Sequence, residues 1–422
     1  MEGARALAPG SRERRTEVAC PVCVGDWKRC RFATCPKLQG VREWTQQVQR
    51  RQGTSLYGAT PPAAFVGQWG YPRVLVGPLL PPTDVDVSLM DAEERWLGLP
   101  LQEILRLRMS MVRGKRPQRV EVAALHDKPL EALQEVAMAS DPVHAEMELT
   151  KRPNLDIYFS PRGKPMGPSA SFESLELAEN PAVPRRVDYI VSDGDLRAGP
   201  GTWDLYEHGI GQRHLTRLLS VGLLGQTRRR RLVPTEWSIT AVDDIVGKHL
   251  RERVRYHPEL GEFHLYGAEA VANNVQILLL PGPWMFEALE GWEGHPAGPA
   301  SDFERPWGRK DYPTNLVGAY HAARLPVLEH LDTVRRQAIA LVFLEVYREW
   351  IPLGVWRFRE VAREAFRRRG RRFSSLGEAL EVLRGRLRIP LDRWLQESTL
   401  YSFYRNQRRL EDFVEPSSAG SH

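Results

Sequence analysis

All four cysteines of this sequence fall in one short window, as Cys20, Cys23, Cys30 and Cys35, and that window constrains the fold more than any other feature. The spacing Cys-x2-Cys-x6-Cys-x4-Cys lets four thiolates converge on one tetrahedral Zn2+, and a segment so rich in Arg, Trp and Gly needs the metal in place of a core of its own. A disulfide or redox pair is the alternative. It calls for an oxidising compartment, and residues 1–18 carry Arg12, Arg14 and Arg15 with no apolar stretch, unlike a secretory leader. The expectation is a structural zinc module over 1–42, of open local fold.

At 422 residues, with 42% hydrophobic side chains, 12 Trp and 13 Phe, the chain has room for two or three domains with sizeable cores. Its longest apolar runs, 275–285 and 338–346, are too short or too interrupted to cross a bilayer. The expectation is therefore no membrane partner and a cytoplasmic, nucleoid-associated location. The net charge is only +6, from 59 basic and 53 acidic residues, so basic surfaces must be sought locally. Eight of the basic residues are Lys and 51 are Arg. A GC-rich genome or a hot habitat explains that bias, yet a guanidinium also grips phosphate with two donors at once. Against this background Lys164, Lys248 and Lys310 stand out as positions where a compact ammonium is kept.

The pattern predicts an α+β protein: the zinc module, a central mixed domain over 43–290, a helical C-terminal domain over 300–400 and a flexible tail over 401–422. Residues 41–52 read as a short polar helix. Glycines and alternating apolar residues over 65–80 predict one or two strands. Helical spacing covers 91–111, interrupted at Pro100, and again 131–147. Strands are expected at 155–159 and 187–192, a helix over 206–225, a strand passing into a helix over 237–251, and strands at 263–266 and 275–280. The segment 290–309 reads as a linker. An apolar stripe through Leu328, Leu331, Val334, Ala338, Leu341, Val342 and Val346 predicts one long helix over 322–350. Helices then follow over 354–369, with a basic exposed face, and over 376–386.

Three segments carry candidate chemistry. Residues 160–170 combine Arg162 and Lys164 with glycines and the hydroxyl of Ser169, an arrangement suited to phosphate where backbone N–H groups approach closely; a rigid turn between strands is the plain alternative. Asp243, Asp244 and Lys248 hold the ingredients of Mg2+- or Mn2+-dependent phosphodiester chemistry, with Glu179 as a further ligand. Adjacent helical side chains cannot face one site, however, so the competing expectation is an Asp capping a helix N-terminus with Lys248 as ion-pair partner. Arg324, Arg335, Arg336 and Gln337 border the apolar stripe and reach toward phosphate or toward an interdomain salt bridge.

Two runs concentrate positive charge: Arg228, Arg229, Arg230 and Arg231, and Arg367, Arg368, Arg369, Arg371 and Arg372. Both suit salt-dependent, sequence-tolerant contact with DNA, or are solvated faces. At the far end, Gln407, Leu410, Phe413 and Val414 form the pattern Gln-x-x-Leu-x-x-Phe-x, which resembles the peptide that docks replication and repair proteins on the sliding clamp PCNA. One helical turn sets Leu410 and Phe413 on one side to fill an apolar pocket. Val414 stands where a second aromatic is usual, which reduces the apolar area buried.

The chain as a whole resembles the archaeal Nre family of DNA repair proteins. The words that carry the resemblance are Phe159-Ser-Pro-Arg-Gly-Lys-Pro-Met-Gly-Pro-Ser-Ala, Ala178-Glu-Asn-Pro, Leu232-Val-Pro-Thr-Glu-Trp-Ser-Ile-Thr-Ala-Val-Asp-Asp-Ile-Val-Gly-Lys and Gly354-Val-Trp-Arg-Phe-Arg-Glu. Glu236 departs from the pattern, standing where a basic residue is expected. The resemblance implies a role in the DNA damage response through the clamp and a zinc-finger-like N-terminus. The function expected is a clamp-tethered DNA repair factor that meets DNA through Arg-rich faces; the rival is a metal-dependent nuclease or nucleotide-processing enzyme centred on Asp243, Asp244 and Lys248.

Overall fold

The computed structural model describes residues 53–82, 85–121, 127–154 and 167–406. The cysteine window, the 41–52 helix, the 155–159 strand, Arg162, Lys164 and the Gln407 to Val414 peptide lie outside the described residues.

Two six-stranded sheets enclose a layer of helices. The first sheet comprises β1 (Ser55–Thr60), β2 (Ala64–Val66), β3 (Arg73–Leu80), β4 (Val112–Arg119), β5 (Val143–Leu149) and β6 (Ser169–Leu177), in the order β1-β5-β6-β4-β3-β2. Only β4 and β6 pair in parallel. Strand β5 shows why the sequence folds this way: Val143, Ala145, Met147 and Leu149 are buried, while Glu146 between them is exposed.

The second sheet comprises β7 (Phe263–Ala270), β8 (Asn273–Leu280), β9 (Met285–Trp292), β10 (Ala300–Glu304), β11 (Ile339–Val346) and β12 (Arg371–Phe373), in the order β10-β9-β11-β8-β7-β12. Strand β11 lies at its centre, antiparallel to β8 and parallel to β9. Helices cover both faces. Alternate residues of β11 therefore enter different cores: Ala340, Val342 and Leu344 join the main one, and Ile339, Leu341 and Phe343 join a second one around Trp394. Burial on both faces is what selects a continuous apolar run. Gly291 is needed here, because a Cβ would lie 2.7 Å from the Trp394 ring.

The helices are α1 (Leu101–Met109), α2 (Lys128–Met138), α3 (Arg185–Ser192), α4 (Ala198–Glu207), α5 (Gln212–Ser220), α6 (Thr235–Val254), α7 (Gly318–Thr333), α8 (Trp356–Arg367), α9 (Leu376–Arg384), α10 (Leu391–Glu397) and α11 (Thr399–Asn406). Helix α6 is the spine: it packs on α4, α5 and α7, and α7 in turn on α8, which lies across β7 and β8. Helices α9 to α11 close the outer face of the second sheet.

Several expectations are corrected. The 322–350 helix does not exist: α7 ends at Thr333, and Ile339–Val346 is a strand, because its apolar positions are consecutive and satisfy two faces rather than one stripe. The region 300–400 is accordingly mixed, not wholly helical, and 290–309 contributes the end of β9 and the whole of its partner β10. Residues 187–192 are helical, with Val187 and Ile190 buried at i, i+3 spacing after Pro184. The 131–147 segment is α2 followed by β5, 206–225 is split by the turn at Gly209, and 237–251 is helix throughout. No helix among the described residues is long and apolar enough to cross a membrane.

Candidate functional site

Asp243 and Asp244 occupy the middle of α6, two turns past its start at Thr235, so neither caps it. Their side chains diverge as helical geometry requires. Asp243 is buried between helices: Nη1 of Arg359 donates to both its oxygens at 3.1 and 2.9 Å, and Gln212 Nε2 donates as well. Burial raises its carboxyl, opposed by Arg359 and Arg363. Asp244 faces the other way. Lys248 Nζ lies 2.6 Å from it, one turn on, while His321 Nδ1 and Arg324 Nη1 of α7 are each 3.6 Å away. The Arg324 guanidinium is buried and also stands 3.5 Å from Glu304, and its contact with Asp244 is the ion pair to the 43–290 segment that the sequence allowed.

Glu179 is brought to neither aspartate. It sits after β6 and accepts from the backbone N–H of His144 at 2.8 Å, with His144 Nδ1 at 2.9 Å. Ser169 opens β6 with its side chain buried and its backbone paired to Asn154. Among the described residues no three His, Cys, Asp or Glu side chains form a metal-binding cluster. The mixed carboxylate site thus resolves into two separate ion-pair systems. Arg335, Arg336 and Gln337 lie past the end of α7, where Gln337 ties the turn by accepting from Trp284 N–H at 2.9 Å and donating to the His257 carbonyl at 2.6 Å.

The basic runs are placed differently. In the first, Arg228, Arg229 and Arg231 are exposed, but Arg230 is partly buried and donates to the carbonyls of Gly225 and Val191 at 2.8 and 2.7 Å. The second run turns from α8 into edge strand β12. Arg367 and Arg368 pair with Glu364 of their own helix at 3.5 and 3.1 Å. Arg369, Arg371 and Arg372 instead line a hollow of about 660 Å3 with Tyr266 at its wall. A neighbouring hollow of about 570 Å3 shares Tyr266 and Arg372 and adds Arg336, His264 and His330. The two form one groove with four guanidiniums (336, 369, 371, 372) and one carboxylate, Glu262, in its lining. Glu262 meets the 71% exposed Arg372 at 3.3 Å, a contact that solvent screens.

Aromatic rings give the groove a floor. Tyr266 packs against His330 and Phe366 with ring centroids 5.0 and 4.9 Å apart, and His330 stacks on Phe366 at 4.1 Å. Burial lowers His330 to about 4, so it is neutral at pH 7 and adds no charge. Gly370 has no side chain because the Tyr266 ring occupies that space, 2.4 Å from where a Cβ would stand. Sequence reasoning found Arg336 and the second Arg run but missed Tyr266, His264 and His330; the signal was the alternation of His264 and Tyr266 along β7.

The described residues thus form a two-sheet α+β protein whose second sheet carries a guanidinium-lined groove with aromatic rings at its floor. Comparison with known sequences narrows this. The profile for "Archaeal Nre, N-terminal" matches residues 30–297 and that for "Archaeal Nre, C-terminal" matches residues 304–413, so the chain belongs to the archaeal Nre family. It is 38% identical over 385 residues to the DNA repair protein NreA of Haloferax volcanii, covering 86% of this chain and 92% of that one. It is 32% identical over 393 residues to the DNA repair protein NreB of Archaeoglobus fulgidus, covering 91% and 97%. No solved structure matches the chain.

Proposed function

We propose that the protein is a DNA repair factor that contacts DNA through the groove between β7, β12 and the end of α7, and is tethered to the sliding clamp by its C-terminal peptide. The observation that carries the DNA contact is the convergence of Arg336, Arg369, Arg371 and Arg372 beside Tyr266, from segments far apart in sequence. Guanidiniums neutralise phosphates and the ring accepts a stacked base, a combination suited to frayed or single-stranded DNA. The family's repair-named relatives support the cellular role, and contact with DNA implies nucleoid association. The test is fluorescence anisotropy of labelled duplex and forked oligonucleotides over a salt series. The double variant Arg369→Glu, Arg371→Glu weakens binding of both and flattens the salt dependence by roughly two phosphate contacts; unchanged affinity overturns the assignment.

The tether is supported by what precedes it. Helix α11 is described as far as Asn406, directly before Gln407 in sequence, and its start is fixed to the second sheet by Glu287. A peptide that begins at an anchored helix keeps the body close to whatever it binds. Deleting 407–422, or changing both Leu410 and Phe413 to Ala, abolishes co-elution with PCNA; a complex that survives defeats the tether. Zinc at Cys20, Cys23, Cys30 and Cys35 belongs to the same reading, and metal analysis well below one ion per chain rejects it.

A further inference from the structure

At the start of α7, whose other end borders the basic groove, lies a cleft of about 650 Å3, within the range of sites that enclose small ligands. Its walls come from α6, β9, α7, α8 and the loop before α7. Trp237 projects from the first turn of α6 and is 48% exposed, Tyr312 rises from the loop before α7 and is 51% exposed, and Trp292 ends β9 at 38% exposed. Large aromatics left so open are costly unless something stacks on them. Each packs against a neighbouring ring: Trp237 on Tyr71 with ring centroids 5.6 Å apart, Trp292 on Trp350 at 4.7 Å, and Tyr312 on His321 at 5.6 Å.

Polar groups converge at the base. His321 is 5% exposed, lines the cleft, and neither ring nitrogen has a hydrogen-bond partner among the described residues. A buried imidazole with both nitrogens unmet costs about 1–3 kcal/mol per group unless a ligand or water completes it. The ring is neutral at pH 7, since burial together with Arg324 lowers it to about 4, so it offers one donor and one acceptor. Asp244 borders the same space with a carboxylate. The start of α7 at Gly318 also faces the cleft, and no side chain caps it. The loop that presents Tyr312 is held by buried Asp302, which accepts from the backbone N–H groups of Asn315 and Leu316 at 2.9 and 2.8 Å.

We propose that this cleft binds one unpaired nucleobase, flat against the Trp237 and Tyr312 rings, with its edge hydrogen-bonded by His321 and Asp244. A carboxylate beside a neutral imidazole favours bases that carry an amino group, because their N–H donors meet acceptors here. Guanine, adenine and cytosine are preferred over thymine, which presents two carbonyls and a single N–H. The base comes from a free nucleotide or from a nucleotide unstacked out of DNA. The inference does not rest on the basic groove, whose lining residues are separate.

Saturation-transfer NMR of the full chain with deoxyguanosine, deoxyadenosine, deoxycytidine and thymidine tests the first source. Anisotropy with a short labelled duplex carrying one unpaired guanine, against the same duplex with an abasic position, tests the second. Saturation by the amino-bearing nucleosides supports binding of the soluble form, and a preference for the guanine duplex without nucleoside binding assigns the unstacked base. In either case Trp237→Ala lowers the affinity by about five- to 100-fold, and His321→Leu lowers it and erodes the discrimination against thymine. His321→Asn, which restores a donor and an acceptor, recovers part of that discrimination if His321→Leu does not fold. Arg369→Glu with Arg371→Glu leaves the nucleoside signals in place, so failure of the groove and failure of the cleft are read separately. Equal response to all four nucleosides together with no preference between the two duplexes overturns the proposal.

Discussion

Arg359 of α8 closes a two-pronged contact on Asp243 of α6, its Nη1 standing 2.9 and 3.1 Å from the two carboxylate oxygens across 116 positions of chain. Both groups are almost wholly enclosed, and Gln212 of α5 completes the carboxylate. These contacts give the adjacent aspartates different structural roles: the first joins three helices and the second joins α6 to α7.

Removing one partner from such a pair leaves an uncompensated buried charge. Asp243→Ala is expected to cost about 3–5 kcal/mol, read as a lower urea midpoint with an unchanged slope. Asp244→Ala costs less, because Asp244 is partly exposed and Arg324 retains Glu304 at 3.5 Å. Equal losses in the two variants would contradict the assignment of the inner and outer aspartate.

How much of this was legible is clearest on either side of Thr333. Strands β2, β3 and β7 and helix α1 announce themselves, because glycines, Pro100 and alternating side chains mark local turns and faces. The run from Ile339 to Val346 does not: eight consecutive buried residues fit a helix face and a two-faced strand equally well, and only β8 and β9 on either side decide. The same limit hides the groove. Arg336, Tyr266 and Arg372 are separated in sequence and meet through the register of β12 on β7, where Arg372 stands opposite His264.

That register makes Gly370 a sensitive position. A methyl group there meets Tyr266 Cε1 at 2.4 Å, so Gly370→Ala displaces the ring from the groove floor. The expected outcome is weaker binding of single-stranded DNA with an unaltered salt slope, since no guanidinium is removed. The thermal midpoint moves little, because Tyr266 is only partly buried.

Buried imidazoles set the response to acid. His330 and His321 are lowered to about 4 from 6.5, chiefly by burial, whereas the unfolded chain titrates near the ordinary value. Between those limits the unfolded state binds more protons, so stability is complete above about pH 6.5 and falls as pH drops toward about 4. Urea unfolding at pH 7 and pH 5 reads the loss. In His330→Phe, which keeps the stack on Phe366, the acid loss is smaller than in the parent; an identical loss would show that His330 does not titrate in this window.

The last prediction concerns the joint between the body and its C-terminal tail. Glu287 lies within β9, fully buried, and its two oxygens accept from Ser398 Oγ at 2.6 Å and from the backbone N–H groups of Thr399 and Leu400, both at 2.9 Å. The two amides are orphan donors at the start of α11, met by a carboxylate from a neighbouring strand, while Ser398 Oγ caps the helix locally by accepting from the Tyr401 N–H at 3.1 Å. Glu287→Ala strands all three donors and is expected to cost about 1–3 kcal/mol per donor that water cannot reach. Glu287→Gln keeps one accepting oxygen and loses less. Hydrogen exchange separates this from a general loss of stability: amides of 399–406 exchange faster in both variants while those of β7 and β8, separated from β9 by β11, change only as far as global stability does. If the whole sheet accelerates together in Glu287→Gln, Glu287 supports the sheet rather than the helix start, and the anchoring of the tail must come from the packing of Leu400 alone.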